Sequence, residues 1–373
     1  FNIAVSQNEI WAVYGEYSVF YNPFPLNRRG ISHFKDGEWI NQKVEDINNL
    51  AELSHITIDP QNKNRAYISS FFDGILVIEN DTLVQNYNAQ NSAIEGVISN
   101  SNDNRIGSSV FVNDQLFFTN SLTESPLKSL NRDGDFQLYD TSDGLNNPLE
   151  TGIAKVVASS SGNLYFSTIR EGIIAYNPET DESEAATSAD TGVDFPDAFA
   201  SNPNITALRF DNNGNLWIGT NLGLRVFFNP SAVFDPEARL NISPIIFDDN
   251  GTPQELLFEQ TITDIQVDGA NNKWIATSSS GVFQVSPNGQ ETLNRFTKDN
   301  SPLPSDQVIN LGINGDDGRV FFATTKGLVS FQTRVTNASE DLSDIKIFPN
   351  PIKPDFNGLV TIEGLTDDAN VKI

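Results

Sequence analysis

Seven times along the chain, at intervals of 47 to 57 residues, the same short pattern returns. Its clearest copy is "ITALRFDNNGNLWIGTNLGLRVFF" from Ile205, echoed by "ITDIQVDGANNKWIATSSSGVFQV" from Ile262 and "VINLGINGDDGRVFFATTKGLVSF" from Val308. Stretches from Ile56 and Ile153 keep the same frame, and weaker copies begin at Phe1 and Phe111. Each reads as strand, polar turn, strand, small-residue turn, strand. Asn, Asp and Gly fill the first turn because they tolerate the left-handed backbone of a tight hairpin. Aligned on the aromatic of the second strand, the copies are marked by Trp11, Tyr67, Phe117, Tyr165, Trp217, Trp274 and Phe321. A repeat of about 50 residues built from strands is the length of a propeller blade.

A fourth strand follows several triplets: "GISHFKDGEWINQ", "TLVQNYN", "DFQLYD" and "ETLNRFT". The strands are apolar on both faces, as "NLWIG" shows, which suits a sheet sandwiched between neighbours. The predicted fold is therefore all-β, a seven-bladed propeller of four-stranded blades over residues 1–333. Radial closure protects its sheet edges. The stretch "FQTRVTNA" around Phe331 is the candidate outer strand of the last blade. A glycine marks the small-residue turn in five blades (Gly74, Gly172, Gly223, Gly281, Gly327), while blades 1 and 3 carry "YGEYSVF" and "TNSLTESPL" instead. Two inserts stand out. The first, 177–204, is acidic and expected to be mobile; the second, 229–260, has enough apolar residues to pack and to supply the outer strand of blade 5.

Composition narrows the function. Aspartate and glutamate outnumber lysine and arginine 49 to 23, a net charge of -26 that opposes nucleic acid over most of the surface. The chain has no cysteine and no apolar run long enough to span a bilayer. Two histidines, His33 and His55, lack metal-ligand spacing and are assigned strand roles; with no G-x-S-x-G, nucleophilic catalysis has little to work with. Of the carboxylate pairs, Asp133 with Asp135 and Asp316 with Asp317 adjoin Gly134 or Gly318 and read as turns; Asp248 with Asp249 is left open. Calcium could bind adventitiously at "DNNGN" or "NRDGD", although neither is a full oxygen-ligand loop. No cofactor is otherwise implied. The glycines around Trp217 are not a phosphate cradle, since a strand and not a helix follows them. Arg28, Arg29 and Lys35 form the densest basic cluster on this acidic chain, and are the candidate contacts for an anionic ligand or partner.

After Phe331 a polar linker, 334–344, leads to "IKIFPNPIKPDFNGLVTIEGLTDDANVKI", whose prolines exclude helix and whose short strands read as the truncated start of a β-sandwich over 345–373. "FPNP" (Phe348, Pro349, Asn350, Pro351) followed by short strands resembles the C-terminal sorting domain of type IX secretion cargo in Bacteroidetes. The blade motif resembles the two-component-regulator propeller repeat. Together they resemble the PorZ-like family of type IX secretion surface proteins, as its second propeller and the beginning of its sandwich. That resemblance implies a non-enzymatic protein exported to the outer-membrane surface, working with the sortase PorU, PorV and PorQ and presenting anionic lipopolysaccharide or another glycan. The alternative is a periplasmic, oligosaccharide-sensing propeller of a hybrid histidine kinase; a propeller lyase or hydrolase is disfavoured by the scarcity of bases.

Overall fold

The computed structural model describes residues 2–16, 26–169, 172–186, 205–339, 342–343, 345–358, 360–366, 369 and 371. The seven repeats fold into seven antiparallel sheets arranged in a ring. They run from Asn2 to Gln42, Leu53 to Tyr87, Ile106 to Tyr139, Ile153 to Ala186, Ile205 to Ser243, Ile262 to Phe296 and Val308 to Gln332. The first six have four strands in meander order, and the seventh has three. The first strands line the axis, each beside the next, and the last lies against the first.

The apolar residues do not form one core. They divide into seven slabs, each lying between two consecutive blades. Strand alternation explains this, because successive side chains point to opposite faces of a blade. The seven marker aromatics all face the following blade, and each is at most 9% exposed. The next residue along, Ile68, Phe118, Phe166, Ile218, Ile275 or Phe322, faces the preceding blade. In blade 1 that position holds the much smaller Ala12.

Hydrogen bonds near the axis follow the repeat as well. Two residues before the partner of each marker aromatic stands a channel residue: Asn2, His55, Ser108, Lys155, Ala207, Asp264 or Asn310. Four of these accept the amide N–H of the following blade's inner strand. Asn2 Oδ1 takes Ile56 N at 3.1 Å and Ser108 Oγ takes Val156 N at 2.8 Å. Asp264 Oδ2 takes Leu311 N at 2.9 Å and Asn310 Oδ1 takes Ile3 N at 2.9 Å. The last of these closes the ring by the same device used inside it.

The hairpins of blades 5 and 6 share one module. In "DNNGNLW", Asp211 Oδ1 accepts the amides of Asn213 and Asn215 at 3.0 and 2.9 Å, and Oδ2 accepts the Trp217 indole N–H at 3.0 Å. In "DGANNKW", Asp268 does the same for Ala270, Asn272 and Trp274. The turn and the blade's main aromatic are thus held by one carboxylate. Asp211 also meets Lys273 of blade 6 at 3.0 Å, with both side chains at most 1% exposed.

Three expectations need correction. Blade 7 has no fourth strand among the described residues: Phe331 lies in its third strand, which ends at Gln332, and the following chain turns away to pack on the hairpin turns, with Asn337 N bonded to Gly315 O at 2.7 Å. A Cβ on Gly269 would overlap the Thr336 carbonyl there, so this connector is seated on the propeller. In blade 1, "GISHFKDGEWINQ" supplies both the third strand, Ile31–Lys35, and the fourth, Glu38–Gln42. The start of the first insert, Glu182–Ala186, is the outer strand of blade 4, while 187–204 lie outside the described residues.

The second insert packs as expected, with Ile245, Leu256 and Leu257 buried between blades 5 and 6 and Ile242–Ser243 as outer strand. The five turn glycines all have positive φ, from 73° to 139°. Beyond the propeller, the described residues hold one two-stranded ladder, Lys346–Phe348 with Thr361–Glu363.

Candidate functional site

The seam between blades 7 and 1 is the weakest junction of the ring. Among the described residues its slab has five buried residues, Ile3, Ile10, Ala12, Phe321 and Ala323, where each other junction has eight or more. Two sequence features cause this. Ala12 fills far less space than the Ile or Phe used elsewhere, and the missing outer strand leaves the third strand of blade 7, Gly327–Gln332, largely exposed. The space opens as two grooves that share Trp39 and Leu328.

The groove beside the Thr325–Gly327 turn encloses about 520 Å³. Its floor carries a hydrogen-bond chain, Tyr14 Oη to Ser32 Oγ at 2.7 Å and Ser32 Oγ to Asn41 Oδ1 at 2.6 Å. The Arg29 guanidinium lies over the Tyr14 ring, 5.7 Å from its centroid. The second groove, about 1130 Å³, reaches the hairpin turns and is lined by Phe34, Phe321, Lys63 and Arg319. Trp39 stands between them, 44% exposed, its ring 5.3 Å from that of Phe34. An exposed flat ring beside hydroxyl, amide and guanidinium groups suits a ligand with one apolar face and many hydroxyls.

The predicted basic cluster is divided among neighbours. Arg28 Nη1 donates to the Asn49 carbonyl at 2.8 Å, and Lys35 donates to the Asn64 side chain of blade 2. Arg29 alone of the three lines the groove. Phe348 is 49% exposed at the end of the tail ladder, facing a small recess shared with Thr333 and Arg334. Sequence reasoning missed Trp39 and Tyr14. The available signal was blade 1's departure from the glycine turn, which marks the region but not the side chains.

The histidines take structural positions. His33 is 2% exposed, stacked on Trp11 at 3.7 Å between centroids, with Nδ1 2.6 Å from Asp81 of blade 2. His55 lies in the axial channel with Nε2 3.3 Å from the Ser109 carbonyl. Burial, and then the nearby Lys155 charge, lower its pKa from 6.5 to about 3. A histidine held neutral in the fold and free to charge when unfolded destabilises the fold as pH falls below the unfolded value. Between about pH 6.5 and 5, above the range of ordinary carboxylates, wild-type stability should fall by at most about 1.4 kcal/mol per pH unit. His55→Gln should flatten that slope. Equal slopes in urea titrations of the two proteins would contradict it.

The acidic turns behave as turns. Asn131 Oδ1 accepts the amides of Asp133 and Asp135, and Asp248 Oδ1 accepts Gly251 N at 2.7 Å. Arg132, in "NRDGD", binds Asp59 and Asp114 at 2.6 and 2.9 Å, and both Asp211 oxygens in "DNNGN" are taken by protein donors. Among the described residues no three His, Asp or Glu side chains are grouped to hold a metal ion, and no helix is long and apolar enough to cross a membrane.

Residues 199–222 match the family described as two component regulator propeller. The structure of PorZ, described as an essential bacterial surface component of the type IX secretion system of Porphyromonas gingivalis, superposes with a TM-score of 0.79 at 20% identity. The match covers 98% of this chain and 50% of that one. Two extracellular domains from B. thetaiotaomicron, described as those of hybrid two component systems, give TM-scores of 0.60 and 0.57 at 14% and 16% identity. They cover 93% and 92% of this chain and 42% and 43% of theirs. The chain therefore spans about half the length of these structures, and at such identities the likeness is one of fold. Comparison of the sequence with curated proteins finds no match.

Proposed function

We propose that this chain is a non-catalytic, cell-surface propeller of a type IX secretion system that holds an anionic glycan in the seam between blades 7 and 1. The observation that carries the reading is the groove pair itself, with the exposed Trp39 ring as a stacking face and Arg29 beside hydroxyl and amide groups. The fold likeness to PorZ and the "FPNP" tail (Phe348 to Pro351) support the cellular setting. In that setting the ligand is anionic lipopolysaccharide, and the partners are the sortase PorU, with PorV and PorQ. On a chain of net charge -26, an anionic ligand must be drawn to a local cation, and Arg29 supplies one.

The test is calorimetric titration with purified anionic lipopolysaccharide and with a neutral oligosaccharide. Trp39→Ala and Arg29→Gln should each weaken the anionic ligand about tenfold, near 1.4 kcal/mol. Ala12→Ile, which restores the bulk used in other blades, should narrow the groove and weaken binding while leaving the protein folded. Unchanged affinity in all three variants sinks the reading. Preference for the neutral oligosaccharide would favour the sensor alternative, which the likeness to the B. thetaiotaomicron domains supports.

A further inference from the structure

The ring of axial hydrogen bonds is broken at one junction in a way that leaves donors facing donors. In blades 1, 3, 6 and 7 the channel position carries an acceptor that receives the next blade's amide. In blade 4 the same position is Lys155, whose ammonium has three donors and no acceptor. The amide it would have to receive is that of Leu208, the register equivalent of Val156, Leu311, Ile3 and Ile56. The next residue is Arg209, where other blades place Ala4, Thr57, Val110, Val157, Gln266 or Gly312. Both cations line the axial channel, an open cavity of about 500 Å³. Neither makes an ion pair among the described residues.

We propose that the channel at the junction of blades 4 and 5 is a binding site for a small oxyanion, a phosphate or carboxylate group, held by Lys155, Arg209 and the Leu208 amide. Such a group supplies the acceptors the repeat omits here, and charge-assisted bonds to it are the strong kind. No other ionisable group on the channel wall pairs directly with either cation among the described residues, although the Asp264 charge acts on both through space. His55 is neutral at physiological pH. Asp264 spends Oδ1 on the Ile265 amide at 2.9 Å, and Oδ2 on Leu311 N and Asn310 Nδ2 at 2.9 and 2.7 Å. Asp59, at the hairpin end, is clamped by Arg132 at 2.6 Å. Asp264, whose pKa burial raises, carries at most one negative charge, so Lys155 and Arg209 leave at least one positive charge over for an anion. The seam groove plays no part in this inference.

The experiment uses the full chain and inorganic phosphate, with glucuronate as the carboxylate arm and chloride at matched ionic strength as the control. Phosphate or glucuronate should raise the thermal midpoint where chloride does not. Response to phosphate alone assigns the site to free phosphate, and response to glucuronate assigns it to the acidic sugar of a glycan; both support an oxyanion site. Arg209→Gln should weaken the response about tenfold or more. Lys155→Asn should abolish it while raising the midpoint measured without ligand, because asparagine restores the acceptor that Asn2 and Asn310 provide at their own junctions. A response unaltered in both variants overturns the assignment, and so does the absence of any response beyond that to chloride.

Discussion

Asp211→Ala should lower the unfolding free energy by about 3–5 kcal/mol, the cost of leaving a buried charge without its partner. The reason lies in what one carboxylate holds. It caps the hairpin through two amides, fixes the Trp217 indole, and meets Lys273, whose ammonium lies over the Trp217 ring, 4.7 Å from its centroid. Burial alone would raise the Asp211 pKa. The bonds from Trp217 and Asn215 and the Lys273 charge outweigh that and hold it below the ordinary value. The stability it contributes is therefore present above the unfolded carboxylate value, about 3.9, and is lost as pH falls through the folded one. The alanine variant should lack that part of the acid transition. Adding Lys273→Met, which removes the ammonium left with only the Asn271 and Pro287 carbonyls and no counter-charge, should restore part of the loss. Denaturant titration reads both effects, and a cost below about 1 kcal/mol for Asp211→Ala would show that the ion pair and the cap do not act as one unit.

Asn310→Ala should cost about 2 kcal/mol, because Asn310 is the clasp of the ring. Its Oδ1 receives Ile3 N from blade 1 at 2.9 Å, and its Nδ2 donates to Asp264 of blade 6 at 2.7 Å, so one amide ties blades 6, 7 and 1. Removing it strands the Ile3 amide, and among the described residues no fourth strand of blade 7 holds the seam by other means. Asn310→Ser keeps an acceptor, of the kind Ser108 provides between blades 3 and 4, and should recover about half of the loss. Hydrogen exchange at Ile3 gives a local readout. If that amide exchanges no faster in Asn310→Ala than in the wild type, the clasp is not where the ring is held.

The two variants act on parts of the molecule that differed greatly in legibility. The Asp211 turn and Trp217 were readable because hairpin chemistry and strand alternation are local: "DNNGNLW" specifies a turn, its cap and a buried ring within seven residues. The same logic gave the seven blades, their marker aromatics and the positive-φ glycine turns. It also misassigned Phe331 to an outer strand, because a third strand and a fourth look alike until pairing is known.

Asn310, Lys155 and Arg209 carried no local signal. Each sits in an ordinary strand, and its meaning depends on which amide the neighbouring blade presents to it. The basic cluster is divided for the same reason: adjacency in "LNRRG" did not prevent Arg28 and Arg29 from turning to different neighbours. The sequence alone determined the repeat, the blade and the alternation of its faces, since these follow from residue order within about fifty positions. Only the tertiary structure decided that Ala12 and a blade with three strands among the described residues open a groove at one seam, and that Lys155 stands where the ring wants an acceptor. Both are properties of junctions between residues far apart in the chain, and a junction exists only once the ring has closed.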